Sequence, residues 1–73
     1  MIPEFTRIVN TGSTLYAEIF WLRGELGAPY HQWWDLRTCE FRLKTAPTEE
    51  YKQVYQLALD QLNLAIKAKL KQI

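Results

Sequence analysis

The stretch from Thr48 to Ile73 reads as one amphipathic helix whose apolar arc is wider than a domain of 73 residues can be expected to cover. At about 100° per residue, Tyr51, Val54, Tyr55, Ala58, Leu62, Ala65, Ile66 and Ile73 form one stripe. Leu59 and Leu70 widen it, while Leu57, Leu64 and Ala68 fall on the opposite flank. Only Lys52, Gln56, Asp60, Asn63 and Lys67 make a continuous polar strip. A surface helix normally hides a band a little over ~100° wide, and this one spans roughly twice that. The surplus calls for a partner, a wrapping strand, or leucines that tolerate water.

A chain this short forms one domain, 1–73, and buries only ~60% of the surface its unfolded form exposes. Its hydrophobic fraction of 48% is that of a globular protein. Nine Lys plus Arg against eight Asp plus Glu give a net charge of +1, which argues against a dedicated nucleic-acid binder and against an acidic mimic of one. Cys39 has no second cysteine to pair with, so the chain carries neither a disulfide staple nor a cysteine-rich zinc site. A free thiol suits a reducing compartment. The longest strictly apolar run, Ile19 to Leu22, is far short of a membrane span, and the start lacks the pattern of a signal peptide. These features lead us to expect a protein of the cytoplasm.

Three punctuation points divide the chain. Asn10-Thr11-Gly12-Ser13 is a turn signal between Phe5–Val9 and Leu15–Leu22, the pattern of a hairpin. Gly24, Gly27 and Pro29 make a second break, and Ala46-Pro47-Thr48 a third. Leu15–Leu22 admits two readings. One is a strand rich in Ile, Phe, Trp and Tyr, with Leu15, Ala17, Ile19 and Trp21 on one face and Tyr16, Glu18, Phe20 and Leu22 on the other. The other is a helix capped by Ser13 with Leu15, Ile19, Leu22 and Leu26 in line. Asp35–Lys44 reads as a strand, because Cys39, Phe41 and Leu43 alternate with Glu40, Arg42 and Lys44. The apolar parity slips at Thr38-Cys39, which would suit a β-bulge there or a strand that begins later. Thr48 is the expected N-cap of the last helix, with Glu49 and Glu50 at its positive end and Lys67, Lys69 and Lys71 at its negative end. The expected fold is α+β: a small antiparallel sheet of about three strands, within 5–22 and 34–44, packed on one C-terminal helix over 48–72.

No pattern in the chain points to catalysis. His31 and Cys39 are the one nucleophile–base pair available, with no third group to orient the imidazole. Gly24-Glu25-Leu26-Gly27 lacks the spacing and the lysine of a phosphate loop. We therefore expect no enzyme, metal, cofactor or small-molecule substrate. The densest cluster is Tyr30-His31-Gln32-Trp33-Trp34. If this stretch is a strand, neighbours face opposite ways and at most one of Trp33 and Trp34 enters the core; the other then either anchors a partner or lids the edge of the core. Trp, Tyr and Arg are the residue types that anchor protein interfaces. The candidate partner-binding residues are Tyr30, Trp33, Trp34, Arg37, Arg42, Leu57 and Leu64. Arg37, Arg42 and Lys44 beside exposed rings also admit an RNA-stacking sheet, but Glu40 shares their segment and no ribonucleoprotein motif is present. A third possibility is self-association through Leu57, Leu64 and Ala68.

In its length, in the stretch Tyr30-His31-Gln32-Trp33-Trp34-Asp35 and in the run Thr48-Glu49-Glu50-Tyr51-Lys52, the chain resembles the small host-takeover proteins of lytic phages, in particular transcription regulators that bind bacterial RNA polymerase. The resemblance implies a protein of the host bacterial cytoplasm that grips the two large polymerase subunits near the RNA exit channel. It implies action against sigma-dependent initiation and in favour of antitermination, without a membrane and without direct nucleic-acid contact.

Overall fold

The computed structural model describes residues 3–22 and 29–71. Three strands, β1 (Glu4–Asn10), β2 (Leu15–Trp21) and β3 (Tyr30–Trp34), form an antiparallel sheet in the order β1-β2-β3. Two helices follow, α1 (Leu36–Lys44) and α2 (Glu49–Leu70), and both pack on the same face of the sheet. The α+β architecture with a three-stranded sheet beneath a C-terminal helix is thus the one that forms.

The strand reading of Leu15–Leu22 holds, and the Asn10–Ser13 turn closes the β1–β2 hairpin. Asn10 Oδ1 accepts from the Gly12 backbone N–H at 2.8 Å, and Thr11 N–H donates to the Thr14 carbonyl at 3.0 Å. Gly12 sits at φ 96°, a left-handed conformation that disfavours any side chain. The β-bulge lies in β1, not at Thr38-Cys39. Phe5 pairs with Ile19 and Arg7 with Glu18, so Thr6 is the extra residue. Without it, Phe5 and Ile8 would face opposite ways; with it, both pack against the core. The Gly24 and Gly27 break, the Leu26 of the helical alternative, and Ile73 of the apolar stripe lie outside the described residues.

Asp35–Lys44 is a helix rather than a strand, and the third strand is Tyr30–Trp34, upstream of the expected one. Two features of the segment account for the difference. Asp35 is an N-cap: its extended backbone and carboxylate, accepting from Thr38 N–H at 2.8 Å, start a helix that a strand reading treats as a mere polar position. Further on, Leu36, Cys39 and Leu43 recur at helical spacing and turn to the core, whereas Phe41 is left exposed. The apparent alternation of Cys39, Phe41 and Leu43 is two helical positions plus one surface ring. Arg42 and Lys44 then occupy the last turn, where cations favour the dipole.

Thr48 caps α2 as expected, accepting from Tyr51 N–H at 3.3 Å. The stripe of α2 faces the sheet: Tyr55, Ala58 and Leu62 are buried, with Tyr51, Val54, Leu59 and Ile66 packed around them. The other half of the core comes from Ala17, Ile19 and Trp34 of the sheet and Cys39 of α1. Lys69 Nζ donates to the Gly12 carbonyl at 3.0 Å, which ties the far end of α2 to the hairpin tip.

Asp35→Ala removes one cap, and urea titration should read a loss of ~1 kcal/mol. The Asp35 carboxyl is held below its ordinary 3.8, first by the Thr38 backbone bond, and Glu18 is held below its ordinary 4.5, first by Arg7. Both depressed carboxyls stabilise the fold in full above those ordinary values and cease to do so as pH falls through the lowered ones. Melting temperature is therefore expected to hold between pH ~5 and 7 and to fall below pH ~4. In Asp35→Asn the acid-side drop should be smaller.

Candidate binding face

The strand register sorts the sheet's side chains into two sets. Leu15, Ala17, Ile19 and Trp21 share a face with Tyr30, Gln32 and Trp34, their cross-strand neighbours, and this face meets the helices. The second face carries Arg7 and Val9 from β1, Tyr16, Glu18 and Phe20 from β2, and His31 and Trp33 from β3. Among the described residues, no helix packs on it.

That second face is aromatic and ordered. Tyr16 and Trp33 lie with ring centroids 5.9 Å apart, and Phe20 and His31 at 4.8 Å. Between them stands a charged rung. Arg7 Nε donates to Glu18 Oε1 at 3.1 Å and Arg7 Nη2 to Oε2 at 3.3 Å. Trp33 Nε1 donates to the same Oε2 at 2.9 Å. Three donors converge on one carboxylate, and they lower the Glu18 pKa, Arg7 most and Trp33 next. Trp33 is 51% exposed, whereas Glu18, at 7%, is the one buried charged side chain among the described residues.

The expected site residues do not form one patch. Trp33 lies on the open face. Trp34 is a core residue, 3% exposed, and cannot touch a partner; its parity places it under the helices, where it makes a T-shaped contact with Tyr55, ring centroids 5.0 Å apart. Arg42 is an exposed residue whose guanidinium lies 5.0 Å over the Trp34 ring, so part of its role is to cover the core. Tyr30 is stacked on Trp21 at 6.0 Å, at the end of β3 and in the register of the inner face. Arg37 borders a groove of about 660 Å³ whose apolar lining includes Leu15, Leu36, Ile66 and Leu70. Leu57 and Leu64 are exposed on the flank of α2, as the helical wheel implies; Leu70 is exposed too, on the other side of the stripe.

As candidate site residues Arg7, Tyr16, Glu18 and Phe20 escaped the sequence reading, although the strand reading already puts Tyr16, Glu18 and Phe20 on one face, as the register bears out. The usable signal was alternation: Tyr16, Glu18 and Phe20 are the second parity of a strand whose first parity is apolar. Gln32 was missed too. Its Oε1 accepts from Trp21 Nε1 and Trp34 Nε1, each at 3.2 Å, so every tryptophan N–H has a partner.

His31 and Cys39 fall on opposite sides of the sheet. Cys39 is fully buried in the core, its Sγ donates to the Trp34 carbonyl at 3.9 Å, and burial, then Asp35 and Glu40, pushes its pKa to about 11. The thiolate is the nucleophilic form, and this environment opposes it. Among the described residues no group of three or more His, Cys, Asp or Glu is arranged to hold a metal ion, and no helix is long and apolar enough to cross a membrane. Comparison with protein-family models, curated protein sequences and solved structures found no match.

The two adjacent tryptophans should behave oppositely in denaturant titrations. Trp34→Ala is expected to cost ~3–5 kcal/mol, as core aromatic truncations do, and Trp33→Ala less than about half of that. Cys39 should resist a thiol reagent at pH 8 in the folded protein and react promptly once unfolded by urea.

Proposed function

We propose that this chain is a non-enzymatic regulator that works by covering a surface of a large protein partner, with bacterial RNA polymerase as the partner. The observation that carries the reading is the open face of the sheet: Tyr16, Phe20 and Trp33 stand around an internally neutralised Arg7–Glu18 pair, on a layer that is packed on its other side. A globule of this size has few other ways to act than by occupying a surface. A standard interface takes about 800 Å² per partner, and central aromatic anchors supply most of its energy. Displacing a competing factor needs only coupled or overlapping binding. The choice of polymerase rests on the resemblance to phage transcription regulators, which also implies inhibition of sigma-dependent initiation, promotion of antitermination and residence in the host bacterial cytoplasm.

A second reading has one observation in its favour, because rings on the open face of an antiparallel sheet are also how single-stranded RNA is stacked. The charge of the face opposes it. Arg7 is already engaged by Glu18, and a carboxylate sits where a phosphate-tracking face needs a cation.

Affinity capture from bacterial lysate with the full chain as bait should retain the two large polymerase subunits. Trp33→Ala should weaken that binding by ~2 kcal/mol, roughly 30-fold, and Phe20→Ala should weaken it in the same direction. Polymerase that is not retained, or retained equally by Trp33→Ala and Phe20→Ala, would remove the proposed face. RNA binding that declines steeply with salt would favour the stacking reading instead.

A further inference from the structure

We propose that Glu18 is a positioning residue: it sets the exposed indole of Trp33 in a fixed orientation before any partner arrives, with Arg7 holding Glu18 in place. The inference rests on the reading of the open sheet face as the binding surface and adds how that surface is prepared.

A carboxylate on the uncovered face of a thin sheet would ordinarily point into water. Glu18 does not, being almost fully buried on a face that no helix covers. The reason is its place in the lattice of strands. Glu18 is on the central strand, and its directly paired neighbours are Arg7 on one side and Trp33 on the other. Side chains at one rung project from the same face and lie within reach of each other. One oxygen receives Arg7 Nε, and the other receives both Arg7 Nη2 and Trp33 Nε1. Such a bidentate, charge-assisted pair is geometrically selective, so the carboxylate plane is set by the guanidinium and the indole edge is set by the carboxylate.

The consequence falls on Trp33. Its N–H edge is held by Glu18, and its ring is flanked by Tyr16 at 5.9 Å, yet half of its surface remains exposed. An exposed tryptophan without such restraints samples several rotamers, and a partner that orders it works against that lost entropy. Here the ring is already ordered and its apolar surface is still available. Arg7 completes the device by keeping Glu18 ionised and an acceptor at both oxygens. The charged and titratable groups whose interactions reach Glu18 are Arg7 from β1 and His31 from β3.

The test follows the three indole N–H resonances of the ¹⁵N-labelled full chain, alone and with bacterial RNA polymerase. In the free wild-type protein the Trp33 indole should shift on acidification with a midpoint below 4.5, while Trp21 and Trp34, which donate to Gln32, stay put. In Glu18→Ala, solvent exchange of the Trp33 indole should accelerate on the order of tenfold. Polymerase affinity should drop by a similar factor, with partial recovery in Glu18→Gln, whose amide oxygen still accepts. An indole that ignores Glu18 protonation, or whose exchange is unchanged in Glu18→Ala, overturns the proposal, and the wild-type titration decides this even where Glu18→Ala does not fold. A responsive indole combined with wild-type polymerase affinity in Glu18→Ala overturns it as well. If Trp33→Ala itself binds polymerase normally, the binding face is wrong and the positioning role falls with it, a failure distinct from the first because the indole titration needs no polymerase.

Discussion

Trp34 is the point at which the sheet and the two helices are joined. It is the last residue of β3, paired with the fully buried Ala17 of the central strand. Its ring is T-shaped to Tyr55 of α2 and lies beneath the guanidinium of Arg42 of α1. Its indole N–H is taken by Gln32, and its carbonyl by the Cys39 thiol. The next residue, Asp35, caps α1. Within two positions the chain therefore ends a strand, fills the core and starts a helix. An aromatic side chain of this size is among the few that can touch three elements at once in so small a domain. Trp34 and Tyr55 are the two buried aromatic side chains among the described residues, and Trp34 is in contact with side chains of both helices.

That junction has a consequence for the sheet's far side. Strand parity is strict, so burying Trp34 obliges Trp33 to point away from the helices, and pairing Trp33 with Glu18 brings Tyr16 and Phe20 to the same side. The binding face proposed above is the reverse of the core. The bulge at Thr6 extends the same logic to β1, because it lets Phe5 and Ile8 both reach the core while Arg7 emerges beside Glu18. A polar rung then sits at the centre of the open face, with both Glu18 oxygens hydrogen-bonded and aromatic rings around it. Buried polar groups are tolerated when each has its partners, and this one binds three strands together through side chains as well as through the backbone ladder.

The legible parts of the fold were those governed by local rules. The length and stripe of α2, its Thr48 cap, the Asn10–Ser13 turn and the opposite placement of two adjacent tryptophans all follow from periods of 3.6 and 2 and from turn chemistry. Exposure of Leu57 and Leu64 followed from the same wheel. The segment Leu36–Lys44 was misjudged because nine residues are too few to separate the two periods when one aromatic, Phe41, stays at the surface. The candidate site was legible only in Trp33. Trp34 went to the core and Arg42 lies over it, Tyr30 stacks on Trp21, and Arg37, Leu57 and Leu64 lie away from the open face. Alternation places Glu18 beside Tyr16 and Phe20, but nothing local marks Arg7 as its partner, since that meaning comes from pairing across strands that are separate in sequence.

The amino-acid order by itself determined a stretch with a single cysteine, a long final helix with more apolar surface than one face needs, and a pair of tryptophans of which a strand admits at most one to the core. These are properties of composition and of repeat distance along the chain. Only the tertiary structure decided which tryptophan went in, where the extra residue of the bulge fell, and that Arg7, Glu18 and Trp33 meet on one rung. The physical reason is that register between strands is chosen by the packing of the whole core, and a shift of one residue would turn every side chain of a strand to the other face.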